Sequence, residues 1–151
     1  MLSLSKHDCS PFDKLRANGC RATLSRLFVY NSLAPADVAR FTGAEAVYIS
    51  PVTIAELKFG VENTTDPDIR QKRQAALYRL KRKPILRIDE TTGEIFGSLA
   101  AQLKSLGMQH QHRVQDIWIA SQAIQHSLTL LTHNQKDFVD IPGLSIQIIK
   151  R

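Results

Sequence analysis

From Leu27 onward, short apolar runs alternate with stretches of helical period, and this alternation constrains the fold more than any other feature. Leu27–Tyr30, Val47–Ile49, Ile85–Ile88, Leu128–Leu131 and Ser145–Ile149 have the length and the β-branched or aromatic content of strands. Helical segments separate them. Ala36–Phe41 reads as a short helix with Pro35 suited to its first turn. Ser50-Pro51 supplies an N-cap and a proline at the first helical position, so a helix is expected through Ile54, Leu57, Lys58 and Val61. A second long helix is expected over Asp68 to Lys83, stopped by Pro84. A third spans Thr91 to Leu106, with Ile95, Leu99 and Leu103 on one face and Gly107 at its end. Val114 to His126 is the fourth. Strands that alternate with helices imply right-handed crossovers and a parallel sheet. The fold class predicted is α/β, a three-layer sandwich around a parallel central sheet.

Residues 1–26 are of another kind. They are rich in turn formers, follow no period, and hold five basic and two acidic residues. Such a segment buries too little apolar surface to offset its ordering entropy, so a disordered tail is expected ahead of a domain at 27–151. The stretch Phe12–Gly19 resembles translated repeat sequence found at the start of unrelated bacterial reading frames, which points to a displaced start codon or a damaged gene. The two cysteines, Cys9 and Cys20, form no C-x-x-C pair and are too few for a zinc site. No apolar stretch approaches the roughly 18–20 residues of a membrane span, and no secretory signal opens the chain, so a cytoplasmic protein is expected.

The net charge is +6, and its placement matters more than its size. Eight basic residues and no acidic one lie between Arg70 and Arg87, leaving the remainder slightly acidic. A focused basic segment attracts a polyanion through counterion release. A solvated helix face, or a surface for an acidic partner, accounts for it equally well. Arg79, Lys81, Arg82 and Lys83 are the candidate nucleic-acid contacts.

In open parallel sheets, ligands bind beyond the carboxyl ends of the strands. Glu56 follows the Val47–Ile49 run, Asp116 opens the fourth helix, and His133, Asn134 and Asp137 follow Leu128–Leu131. Carboxylates gathered at one sheet edge repel one another unless a hard cation such as magnesium or manganese joins them. Each has a plainer reading. Glu56 can face solvent, Asp116 can complement a helix dipole, and Asp137 can cap a turn. Histidines 110, 112, 126 and 133 match no zinc spacing. Trp118 is expected in the core or at a dimer interface. No nucleophile elbow or phosphate-binding glycine loop is present.

Together, SPVTIAELKFGVE, VQDIWIASQA, LTLLTHNQKDF and the closing IPGL resemble the PIN domain of VapC-type toxins, over roughly Leu33 to Ile149. The resemblance implies a magnesium- or manganese-dependent ribonuclease, paired with a VapB antitoxin protein and taken here to be a homodimer. It places Glu56 and Asp116 at the second and third acidic positions, and Asn134 and Asp137 in the fourth motif. The family opens on a strand ending in Asp-Thr-Asn or Asp-Thr-Cys, whose aspartate is a principal metal ligand. That motif is absent from this chain. If Leu27–Tyr30 fills the central strand, Asn31 stands at its end as a weak, uncharged substitute. The expectation is therefore an RNA-cleaving enzyme impaired at its first acidic position. Two rivals remain: an inactive PIN-like protein that only binds an antitoxin, and a basic DNA-binding regulator. The second leaves the acidic motifs unexplained.

Overall fold

The computed structural model describes residues 26–28, 46–108 and 110–149. Of the tail expected at 1–26, residues 1–25 lie outside the described residues and Arg26 opens a strand; the helix expected at Ala36–Phe41 and Asn31 also lie outside them. Among the described residues, four strands form one sheet: β1 (Arg26–Phe28), β2 (Val47–Ile49), β3 (Thr129–Thr132) and β4 (Ser145–Ile148). Their order is β2-β1-β3-β4 and all pairings are parallel. Arg26 pairs with Val47 on one side and with Thr129 on the other, so β1 is an inner strand.

Among the described residues, four helices flank the sheet: α1 (Pro51–Glu62), α2 (Pro67–Leu80), α3 (Glu90–Ser105) and α4 (Val114–Gln125). Their ends follow local chemistry. Ser50 Oγ accepts from the Val52 N–H at 3.1 Å, with Pro51 at the first helical position. Asp66 caps α2, accepting from the N–H groups of Asp68 and Ile69 at 2.9 and 3.1 Å. Asp89 and Thr92 form a capping box on α3. Gly107 closes α3 with φ +74°, a conformation that glycine adopts freely.

Side-chain alternation along the strands splits the core into two layers. Tyr48, Leu130 and Ile146 face a cluster built from α3 and α4 that includes Leu99, Leu103, Ile117 and Ala120. Val47, Ile49, Leu131 and Ile149 face the other way, onto Ile54 and Leu57 of α1 and Leu80 of α2. Helices thus cover both faces of a parallel sheet, the three-layer sandwich expected from the alternation of elements.

One expected strand is corrected. Ile85–Ile88 contributes a single bridge, Ile85 to Ile49, and no strand. Ile49 N–H donates to the Pro84 carbonyl at 2.9 Å, and Leu86 N–H donates to the Ile49 carbonyl at 3.0 Å. The ladder stops there for two reasons. Pro84 has no N–H to give to β2, and Pro51, which would have to donate to the Leu86 carbonyl next in register, has none either and already opens α1. The second helix is also shorter than expected: it ends at Leu80, three residues before the predicted Lys83.

Candidate active site

The candidate acidic residues occupy one edge of the sheet because of how the helices connect. Helix α1 leaves directly from the carboxyl end of β2, with Glu56 in its second turn. Helix α4 feeds β3 through a short link and so runs against it, which puts the start of α4, with Asp116 in its first turn, at the carboxyl edge. The segment after β3 turns through a short 3₁₀ helix at Gln135–Asp137. At this edge β1 lies between β2 and β3, the place where an open α/β sheet binds its ligands.

Asp116 is half-buried, and its carboxyl is pushed up to about 6, first by burial and then by the neighbouring charge of Asp137; Arg113 opposes the shift. A carboxylate that merely complemented a helix dipole would be solvated and held low. Glu56 is also raised, first by burial and then by Asp116. It therefore does not simply face solvent. Asp116 stands close enough to both Glu56 and Asp137 for charge to be felt across each pair. Asn134 belongs to the same cluster: its side-chain amide donates to Asp137 Oδ2, and its backbone N–H donates to Thr132 Oγ1 at 3.0 Å.

Arg113, not singled out from the sequence, sits immediately before α4. Its Nη1 and Nη2 grip the two oxygens of Asp140, each at 2.6 Å, and Nη2 also donates to the Asp137 carbonyl. The pairing raises the Arg113 pKa and lowers that of Asp140. No local pattern announces it, since Asp140 lies 27 residues away.

Other candidates fall elsewhere. Arg79 is in the last turn of α2, and Lys81, Arg82 and Lys83 are exposed just beyond it. Trp118 is partly buried and stacks on Phe96 of α3, with ring centroids 4.4 Å apart. His133 Nδ1 lies 2.5 Å from the Ile149 carbonyl, so that nitrogen is engaged within the sheet edge.

A profile of the PIN domain family matches residues 24–144. The chain belongs to the PIN domain family. Ribonuclease VapC5 of Mycobacterium tuberculosis is 31% identical over 107 residues, covering 70% of this chain and 77% of the relative. Ribonuclease VapC1 of Rickettsia felis is 34% identical over 104 residues, covering 66% and 73%. The crystal structure of VapBC-5, a toxin–antitoxin system of Mycobacterium tuberculosis, matches with a TM-score of 0.69 at 26% identity, over 85% of this chain and 99% of that one. The structure of VapBC2 from Rickettsia felis, bound to a fragment of promoter DNA, matches with a TM-score of 0.65 at 27% identity, over 76% and 84%.

In this PIN domain the candidate donors are all oxygens, the chemistry a hard divalent cation prefers. Two of the carboxyls are raised, so an added positive charge would relieve them. Among the described residues, no group of three or more His, Cys, Asp or Glu side chains is drawn together tightly enough to hold a metal ion. The donor chemistry therefore fits a cation, and the cluster is open rather than closed around one point. No helix among the described residues is long and apolar enough to cross a membrane.

Proposed function

We propose that this PIN domain is a metal-dependent endoribonuclease toxin of a toxin–antitoxin pair, weakened at its first acidic position. One observation carries the reading: Asp116 is half-buried at the carboxyl edge of the sheet with Glu56 and Asp137 as charge neighbours. Keeping carboxylates together out of water is costly unless a cation joins them. Asp116 and Glu56 would hold magnesium or manganese, with Asp137 and Asn134 beside them. When bound, the cation supplies Lewis-acid charge at the scissile phosphate and the leaving oxygen. The protein's own part is to place a water in line with a phosphodiester. Glu56, raised by burial, is suited to take that water's proton as its oxygen bonds to phosphorus and the bond to the leaving oxygen breaks.

The basic segment at Arg79, Lys81, Arg82 and Lys83 would meet RNA phosphates, or else an acidic surface of the antitoxin. The relatives named with VapB partners support a protein antitoxin for this chain. A homodimer and a cytoplasmic location belong to the same reading, as does a domain boundary near residue 26.

RNA cleavage by the full chain, with magnesium or manganese, tests the reading. Weak metal-dependent cleavage is expected, abolished by Asp116→Asn and increased by Asn31→Asp. Cleavage that survives Asp116→Asn would remove the site. A second reading, an inactive PIN domain that only binds an antitoxin, has the open donor cluster in its favour. It predicts no cleavage by the parent chain, and tight antitoxin binding by parent and variants alike.

A further inference from the structure

We propose that Arg113 is a positioning residue, a clamp that fixes the Asp137–Asp140 turn against the start of α4 and so holds Asp137 beside Asp116. This rests on the metal-dependent site proposed above.

The clamp has an unusual origin. Arg113 occupies the residue before α4, where a capping side chain would ordinarily satisfy the helix N–H groups, and it makes no such bond. Its own N–H closes the preceding turn onto the His110 carbonyl at 3.1 Å. The side chain reaches across to the far loop instead. There the guanidinium makes a two-pronged contact with Asp140, both distances 2.6 Å, and a third bond to the Asp137 carbonyl. A planar fork that meets both carboxylate oxygens fixes orientation as well as distance. The pair is partly sheltered, with 18% of the Arg113 side chain and 24% of Asp140 exposed, so solvent screens it less than a surface ion pair.

The turn needs such a hold. Its apolar anchors are Phe138 and Ile141, 3% and 4% exposed. They pin the backbone from the core side. Asp137 and Asp140 lie outward of them, and Asp116 is near, so three like charges share one small region. The charge of Arg113 reaches all three. Holding the Asp137 carbonyl sets that residue's backbone, while Asn134 holds its carboxylate from the other end. Outer contacts of this kind orient metal-ligating carboxylates and strongly affect affinity.

The test uses the full chain, Mn²⁺ as the probe, and the variants Arg113→Lys, Asp140→Asn and Asp137→Asn. Two quantities are measured: Mn²⁺ affinity, and hydrogen exchange at the Phe138, Val139 and Ile141 amides that close the turn. Arg113→Lys keeps the charge and loses the fork. It is expected to speed exchange at those amides and to weaken Mn²⁺ binding about 10-fold, while the Leu99 and Leu103 amides of α3 stay protected. Asp140→Asn is expected to act the same way more mildly, and it decides the matter if the lysine variant fails to fold. In an Asp137→Asn background, Arg113→Lys should not weaken Mn²⁺ binding further, because no carboxylate remains to be positioned. Unchanged exchange overturns the clamp. So does faster exchange with full Mn²⁺ affinity, or an additive loss in the Asp137→Asn background. If the parent chain binds no Mn²⁺, the proposed metal site fails by itself; faster exchange then still supports the clamp and unchanged exchange overturns it.

Discussion

Helices α4 and α2 lie on opposite faces of the same sheet and are held in opposite ways. Helix α4 buries seven of its twelve residues, from Ile117 to Ile124 with one gap. Helix α2 buries two of fourteen, Leu77 and Leu80. The buried polar groups of α4 are paired: Ser121 Oγ donates to the Ile117 carbonyl at 2.7 Å, and Gln122 accepts from Ser50 Oγ at 2.5 Å. The contacts that tie α2 to α1 include exposed ones, the Arg70–Glu62 ion pair at 2.6 Å and Arg73 to the Gly60 carbonyl at 2.6 Å. Large apolar side chains stand in solvent on this layer, Phe59 at 68% and Tyr78 at 70% exposed. The difference separates two jobs. The α4 layer stabilises the domain and carries Asp116 on a rigid base. The α2 layer is lightly held and carries the basic charge.

The contrast predicts its largest effect in the core. Replacing Ile117, fully buried in α4, with alanine is expected to cost about 2–5 kcal/mol, because a cavity remains where no neighbour can close in. Tyr78→Ala on α2 is expected to stay within about 0.5 kcal/mol. Urea unfolding of both variants measures the gap. Equal losses would erase the distinction between the layers.

The sequence was legible wherever a structure is decided locally. Ser50-Pro51 and Gly107 mark helix ends through bonds within a few residues, and the expected ends lie within three residues of the observed ones. Glu56, Asp116 and Asp137 could be named because β-strand ends are readable from apolar runs. Ile85–Ile88 has a composition that suits a strand, whereas its pairing depends on Pro84 and on Pro51, which stands on another element and has no N–H for the Leu86 carbonyl. Arg113 is hidden in the sequence for the same reason: what defines it is a partner on another loop.

The second prediction concerns the acidic edge of the stable layer. The Asp116 carboxyl is raised from 3.8 to about 6 in the fold, so the folded chain binds a proton more readily than the unfolded chain. Stability from this group is therefore present below pH 4 and falls as the pH rises from about 4 to about 6. The shift corresponds to at most ~3 kcal/mol, cut to about 1 kcal/mol because the group is half exposed to screening solvent. Asp116→Asn should thus stabilise the metal-free protein by about 1 kcal/mol above pH 6 and not at all below pH 4. A variant less stable than the parent at pH 7 would show that Asp116 is structural and not held at a cost for chemistry.

A smaller effect is expected at the start of α2. Asp66 is exposed and accepts two backbone N–H groups there. Asp66→Ala is expected to cost ~1 kcal/mol or less, and the loss should appear as faster amide exchange confined to the first turns of α2. Loss of protection spreading into α4 would mean that the two layers unfold as one unit.

The smallest effect on stability, and the most informative about the light layer, is expected from its charges. Arg79, Lys81, Arg82 and Lys83 are exposed, and none joins an ion pair among the described residues. Four like charges in sequence repel one another, so replacing all four with glutamine should leave the unfolding midpoint unchanged or raise it slightly. The binding role proposed for them predicts the opposite sensitivity. If the four meet phosphates, the dependence of single-stranded RNA binding on salt should flatten, by a slope of about 0.7 for each phosphate that is no longer neutralised. If they meet an acidic antitoxin, RNA binding should keep its salt dependence while antitoxin association slows at low salt. A loss of stability above about 1 kcal/mol would contradict both, because it would make the charges part of what holds α2 in place. The comparison of the two layers would then have to be redrawn, with α2 held by its charges as firmly as α4 is held by its core.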